Sequence, residues 1–464
     1  MLPAVVTATP LSQPREQLPV PAPAGSRTLC PAGGHWPVWC IALVVHLVSV
    51  VKLSIRSTPR VLAALLSFLG GRTADAGVMT WTTVRCWLMR LGLYALRRPL
   101  ERADDWAYLI DHTIQIGSVK CFAVVGTRLS QLPYPQRCLR REDLVLIALE
   151  VMPQSNAANV EKALENAAVR TGVPRLIVSD QGGDVRAGIV RYCGNHSHTA
   201  ATCDTAHKGA NLLRGLLEAD ERWAGFVAGL GQMKVQLQQT PLACCTGPKI
   251  RQRARFMNLA APLRWAWWCL RALEQPWPRD DELSDRQRKV LAPIDREQLE
   301  EKLGWLREYR QAIDQWSEWH EVIQVVVRQV RRHGIDRDSI TELQRQFEKV
   351  NLSPSGLAAA EEMKAFVAEQ AWVARLGGEL LIGSTEILES LFGDLKVLEG
   401  QQSESGFTGL VLALGTIVSR WTIEEISKAM EATPWKAVQA WVEDQVGPTV
   451  QAQRRNLQKI FADL

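Results

Sequence analysis

Apolar residues follow two different rhythms along this chain, and the change between them divides it. Between residues 106 and 180 they come as short unbroken runs: Trp106 to Ile110, Val119 to Gly126, Asp143 to Val151 and Pro174 to Val178. Runs of this length, bounded by polar or turn-forming residues, predict strands buried on both faces. The first run stops at Asp111 and the last at Asp180, so two strands are each expected to deliver an aspartate at their exit. Asn156 to Arg170 repeats its apolar residues at helical spacing and predicts a helix. Gly182 and Gly183 then let the chain turn sharply away from Asp180. Ser197 to Cys203 predicts a fifth strand, and Gly209 to Leu217 an amphipathic helix with Asp204 ahead of it as a candidate N-cap and His207 three residues on.

Elsewhere the rhythm is helical. Val38 to Leu53, Thr58 to Leu69 and Thr80 to Leu96 predict three short helices, with a break at Gly70 and Gly71, which together describe a helix-turn-helix domain over residues 36–100. In the third, Val84, Trp87, Leu88 and Leu91 share one face and leave Thr82, Thr83, Arg85 and Arg90 for the other. Residues 218–380 read as helix after helix, with a turn near Thr240 and Pro241 and a break from Gln275 to Asp285. Seven of the 17 tryptophans lie between Arg264 and Trp319, and Trp265, Trp267 and Trp268 are too close together for all three to face inward. Gly383 to Lys396 predicts a helix that starts at Ser384 or Thr385 and buries Ile387, Leu388, Leu391 and Leu395. Glu386, Glu389 and Lys396 share its other face. Leu410 to Val418 predicts a further core helix, and residues 421–464 predict C-terminal helices of mixed charge.

Composition adds three bounds. At 464 residues the chain exceeds one small core and fits two to four units. Its 47% hydrophobic content is that of an ordinary globular protein, and its formal charge of +5 does not by itself announce a nucleic-acid binder. Locally the balance differs: seven arginines against Asp75 between Arg56 and Arg98 concentrate positive charge on the N-terminal helices, as a major-groove reader requires. The ten cysteines contain no CxxC pair, which fits a reducing intracellular compartment. Val38 to Leu53 spans 16 residues, short of the roughly 20 a membrane helix needs. It is expected to be a core helix of a soluble protein. Residues 1–35, with seven prolines and no basic start, are expected to be a disordered leader rather than a signal peptide.

In order, then, the chain presents Asp111, Asp180, the Asp204 and His207 step, a long helical stretch, and Glu389 on a helix. This order resembles the DDE transposases of the RNase H-like superfamily that carry an all-helical insertion, especially hAT-type enzymes and related cut-and-paste insertion-sequence transposases, over roughly residues 100–420. Asp111 is similar to that family's first catalytic aspartate and Asp180 to its second. Asp204 and His207 match the Cys/Asp-x-x-His step that follows, and Glu389 with Phe392 resembles the Glu-x-x-Phe helix that supplies the third carboxylate. Glu386 is the competitor for that place. Lys396 stands where some insertion-sequence enzymes carry a lysine, although Thr385 and Ile382 occupy the region where they have arginine and tyrosine. Arg264 and Trp265 resemble the Arg-Trp pair near the start of the hAT insertion, where tryptophan stacks on a displaced base.

The resemblance implies an α/β fold: an RNase H-like mixed sheet in two parts, residues 101–217 and 381–420, interrupted by an all-helical insertion over 218–380. It further implies cleavage and strand transfer of double-stranded DNA, at element ends and target, by a homodimer or larger assembly. No membrane is involved, and the setting is the prokaryotic cytoplasm beside the nucleoid. Two Mg2+ or Mn2+ ions about 4 Å apart would activate the attacking oxygen and stabilise the leaving one, with Asp111 bridging both, Asp180 on one and Glu389 on the other. Hard carboxylate oxygens suit such ions. Asp204, His207 and Lys396 would support the site, the histidine orienting a carboxylate or phosphate. Competing readings are an inactive transposase-derived DNA-binding protein, another RNase H-like nuclease such as a junction resolvase, and a helical scaffold or membrane-associated protein, which leaves the carboxylates without a role.

Overall fold

The computed structural model describes residues 30–31, 34–68, 79–116, 119–132, 139–180, 182–249, 259–277, 280–375, 381–402 and 408–462. Most of the proline-rich leader, the Gly70 and Gly71 break and Gln181 lie outside the described residues. Five strands, β1 (Trp106–Ile116), β2 (Val119–Arg128), β3 (Val145–Met152), β4 (Leu176–Ser179) and β5 (Ala200–Cys203), form one mixed sheet in the order β3-β2-β1-β4-β5. β1, β2 and β3 pair antiparallel, whereas β4 pairs parallel with both β1 and β5. Parallel neighbours need a crossover, and helices Ala157–Thr171 and Gly183–Asn195 supply it. This mixed sheet with its helices is compatible with an RNase H-like domain.

Both faces of the sheet are covered, which is why its strands read as continuous apolar runs. Tyr108, Ile110, Phe122, Val124 and Ile177 pack under the two crossover helices. Alternation sends Leu109, Cys121, Ala123 and Val125 to the other face, against Leu388, Leu391 and Leu395 of helix Glu386–Glu399. From Thr205 to Arg375 the described elements are all helical, and this unit packs on the same side through Ala107, Leu176 and Val178. Among the described residues no helix is long and apolar enough to cross a membrane.

Two expectations change here. β1 does not end at Asp111 but continues to Ile116, with its register shifting between His112 and Ile114. The helix Gly183–Asn195, read above only as a turn, begins directly at the glycines.

The N-terminal helices Val38–Ser49, Thr58–Phe68 and Trp81–Arg97 exist, yet they share one core with β2, β3 and the helices from Leu388 to Trp441 rather than forming a separate reading domain. Helix Trp81–Arg97 buries Met89, Gly92, Leu93 and Ala95 besides Val84, Trp87, Leu88 and Leu91, so it is enclosed on most sides. Arg90, half-buried, donates to the carbonyls of Met430 and Thr433 and so closes the C-terminus of helix Ile423–Ala432. Arg85 donates to Gln402 at 3.1 Å, and the hydroxyls of Thr82 and Thr83 turn to Thr80 at 2.6 and 3.1 Å. Thr82 is exposed, and Thr83, Arg85 and Arg90 are partly buried.

The tightest crossing in this core is at Gly92, where a Cβ would lie 1.7 Å from the Leu412 carbonyl oxygen. Gly92→Ala is therefore expected to lower stability by about 3 kcal/mol, the upper range of overpacking costs. Urea denaturation measures it, and an unchanged midpoint would contradict this packing.

Candidate active site

The parallel ladder between β1 and β4 ends with Ile110 opposite Ser179. Asp111 is the next residue of β1, and Asp180 the first residue past the end of β4, so the two follow the last paired positions of strands about 4.8 Å apart. Strand alternation places Asp111 on the face of Leu109, the face that helix Glu386–Glu399 covers. Asp111 Oδ1 accepts the His112 amide at 2.6 Å, and Asp180 Oδ1 accepts the Gly182 amide at 3.0 Å. Burial, then the neighbouring charge of Asp180 and, more weakly, that of Glu389 push the Asp111 carboxyl up to about 7, while the His112 amide and Lys396 oppose the rise. Asp111 thus feels Asp180 from the end of β4 and both Glu389 and Lys396 from one helix.

Helix Glu386–Glu399 reaches this face because Leu388, Leu391, Phe392, Leu395 and Leu398 are buried along one side. Glu389 stands at the rim, open to solvent on one side, yet its carboxyl is raised by burial and by the charges of Asp204 and Glu386, with His207 and Lys396 pulling it down. Glu386 faces elsewhere: it pairs with Arg331 at 3.1 Å, and it is raised by burial and Asp204 while Arg331 opposes. Of the two glutamates, Glu389 is the one whose charge reaches Asp111.

Asp204 is 2% exposed. Its Oδ1 accepts the His207 amide at 2.8 Å and caps helix Thr205–Glu218, and its Oδ2 accepts both the amide and the hydroxyl of Thr385, at the start of the glutamate helix. The Thr202 hydroxyl donating to Ile382 and the Thr205 amide donating to Gly383, both at 2.9 Å, fasten the same returning segment to the end of β5. Asp204 is thereby a brace, and His207 is carried to the side of Glu389.

A second network escaped the sequence reading. His112 Nε2 lies 3.0 Å from the Ser155 hydroxyl, and Lys120 pairs with Asp184 at 2.6 Å. Burial pulls the Asp184 carboxyl upward, but hydrogen bonds from Lys120 and Ser155 outweigh it and hold the group at about 2. This network ties the far part of β1 to the turn after Asp180. Its one signal in sequence was the aspartate closing the Gly182-Gly183 step.

Arg264 and Trp265 lie in the helical unit, on Ala260–Glu274, where Arg264 approaches His320 and the Trp265 indole donates to the Cys245 carbonyl at 2.9 Å. The exposed indole is Trp268, at 68%. Trp265 is partly buried, with its indole N–H bound.

The donors at Asp111, Asp180 and Glu389 are hard oxygens, suited in kind to Mg2+ or Mn2+, and the mutual repulsion that raises Asp111 is what a divalent cation relieves. Among the described residues no three His, Cys, Asp or Glu side chains close around a single point, so the carboxylates do not form a finished cage.

No protein-family model matches the chain, and no curated protein matches it. Among solved structures, the chain is similar to one titled Drosophila P element transposase strand transfer complex, with a TM-score of 0.37 and 10% identity over 82% of this chain and 91% of that one. A superposition this loose does not define a family.

A carboxyl raised to about 7 in the folded chain, from 3.8, stabilises fully at low pH, and that contribution is lost as pH rises through about 7. In the presence of a chelator above that pH, Asp111→Asn should be more stable than the parent, by at most about 4 kcal/mol. Mg2+ should raise the melting temperature of the parent and not of the variant. A less stable variant, or equal Mg2+ shifts in both, would contradict this account of the site.

Proposed function

We propose that this chain is a DNA transposase of the DDE type, cleaving and rejoining phosphodiesters of double-stranded DNA at an RNase H-like site made by Asp111, Asp180 and Glu389, with the 218–380 region as its helical insertion. The observation that carries the reading is that Asp111 on β1 has Asp180, just past the end of the neighbouring parallel strand β4, and Glu389 of the covering helix close enough for both charges to reach it. Two divalent ions held by these carboxylates would make the attacking water or 3′-hydroxyl nucleophilic and stabilise the leaving oxygen. The chain's own contribution is positioning: Asp204 sets the glutamate helix, and the His112, Ser155, Asp184 and Lys120 network sets the Asp180 turn. His207 and Lys396 supply positive or proton-donating groups at the rim, where a phosphate would approach Glu389.

The test uses DNA from both sides of the coding region, where terminal repeats of a mobile element would lie, incubated with the protein and Mg2+ or Mn2+. Metal-dependent cleavage is expected at those ends. Asp111→Asn, Asp180→Asn and Glu389→Gln should each slow it by more than about 100-fold, beyond the range typical of supporting residues, with DNA binding retained. Glu386→Gln should cleave near the parent rate. No cleavage by the parent with either metal, or full activity in a strand aspartate variant, would sink the reading; a dead Glu386→Gln beside an active Glu389→Gln would move the third carboxylate.

A further inference from the structure

A cleft of about 260 Å3 opens on the other side of Glu386, between the segment around Arg140 and Arg141, the end of helix Arg310–His333 at Arg331, and the start of helix Glu386–Glu399 with Ser384 and Ser390. The volume admits a phosphate with some of its water, given about 30 Å3 per water molecule. Its charges do not balance. Asp394 is paired twice, with Lys52 at 2.8 Å and with Arg141, and Glu142 is paired twice, with Arg420 at 3.0 Å and Arg140 at 3.8 Å. Glu386 has Arg331 at 3.1 Å. Of the residues that line the cleft itself, Arg140, Arg141 and Arg331 are cationic and only Glu386 is acidic, a surplus of two. Arg141 also donates to the Ser390 hydroxyl at 2.8 Å, which turns its guanidinium into the cleft mouth. The side chains of Arg140 and Arg331 are 56% and 59% exposed, so each guanidinium is open to solvent beside its carboxylate partner.

We propose that this cleft binds phosphodiesters of the DNA strand that enters the Asp111, Asp180 and Glu389 site, with Arg140, Arg141 and Arg331 as the contacting groups. The assignment of the anion to DNA rests on the transposase reading, because Glu386 and Glu389 are three residues apart on one helix and so about 5 to 6 Å apart at their Cβ atoms. A strand seated in the cleft therefore passes beside Glu389. Planar guanidiniums reaching in from two elements suit phosphate oxygens, which accept paired N–H donors. The surplus of two positive charges sets the expected count at about two phosphates.

The experiment is DNA binding by the full chain in chelator, so that cleavage plays no part, read as fluorescence anisotropy of a short labelled duplex over a salt series. The triple variant Arg140→Gln, Arg141→Gln, Arg331→Gln should bind at least about tenfold more weakly and lose about two units from the slope of log affinity against log salt, at about 0.9 per phosphate. Arg140→Gln and Arg331→Gln alone, at exposed positions that leave the fold intact, should each lose about one unit. Arg345→Gln, an exposed arginine of the helical unit, serves as the control with an unchanged slope. An unchanged slope in the triple and single variants overturns the proposal. So does a parent protein stabilised by inorganic phosphate through these arginines while its DNA affinity ignores them, since the cleft is then a site for the free ion. If the slopes fall as expected but the parent never cleaves with metal, the cleft stands and the catalytic reading fails.

Discussion

Asp204 sits where β5 ends, where a helix begins and where, 181 residues later at Thr385, the chain comes back. A carboxylate 2% exposed is costly to desolvate, and it persists because its two oxygens accept the His207 amide and both donors of Thr385. Those donors would otherwise be unsatisfied helix-start groups. One side chain therefore caps one helix, sets the first turn of another and fixes the separation between the sheet and Glu389. Everything proposed for the site depends on that separation, because Glu389 belongs to a helix that has no strand to hold it in register with Asp111.

Charge is arranged around this brace in opposite senses. On the sheet side, burial raises both carboxyls and neighbouring acids add to it: Asp180 and Glu389 at Asp111, Asp204 and Glu386 at Glu389. A fold that only needed stability would not stack carboxylates with so few cations between them, and strain of this kind is what functional sites store. On the far side of Glu386, cations outnumber acids. The glutamate helix is the wall between the two, acidic toward the strand ends and lined by arginines on its other flank, so the proposed metal and phosphate sites share a single element.

Much of the sheet was legible because each strand is enclosed and so spells an apolar run, and both aspartates follow such runs directly. The glutamate helix was legible from the spacing of Leu388, Leu391 and Leu395. The continuation of β1 past Asp111 was not, since His112, Thr113 and Gln115 are polar with Ile114 alone apolar, and such a segment reads as a turn. Helix Gly183–Asn195 was hidden by its opening glycines, which signal a turn whether or not a helix follows. The N-terminal helices were legible as helices, but their packing was hidden for a deeper reason. An arginine on a helix looks like a surface residue, and only the fold reveals that Arg90 spends its donors on the carbonyls of Met430 and Thr433, 340 residues away and more. The same holds for the adjacent indoles: spacing required one of them to be exposed, but the Cys245 carbonyl that holds Trp265 inward lies in a separate element. The arginine cleft joins residues near 140, 331 and 386, and no local motif announces it.

The central claim is that Asp111, Asp180 and Glu389 hold a pair of divalent ions, and electron paramagnetic resonance of Mn2+ titrated into the full chain tests it most directly. The account predicts two ions per chain, magnetically coupled as expected for a separation of about 4 Å, with the coupled signal lost in folded Asp111→Asn. A single uncoupled ion, or a coupled pair that survives the loss of Asp111, would contradict it.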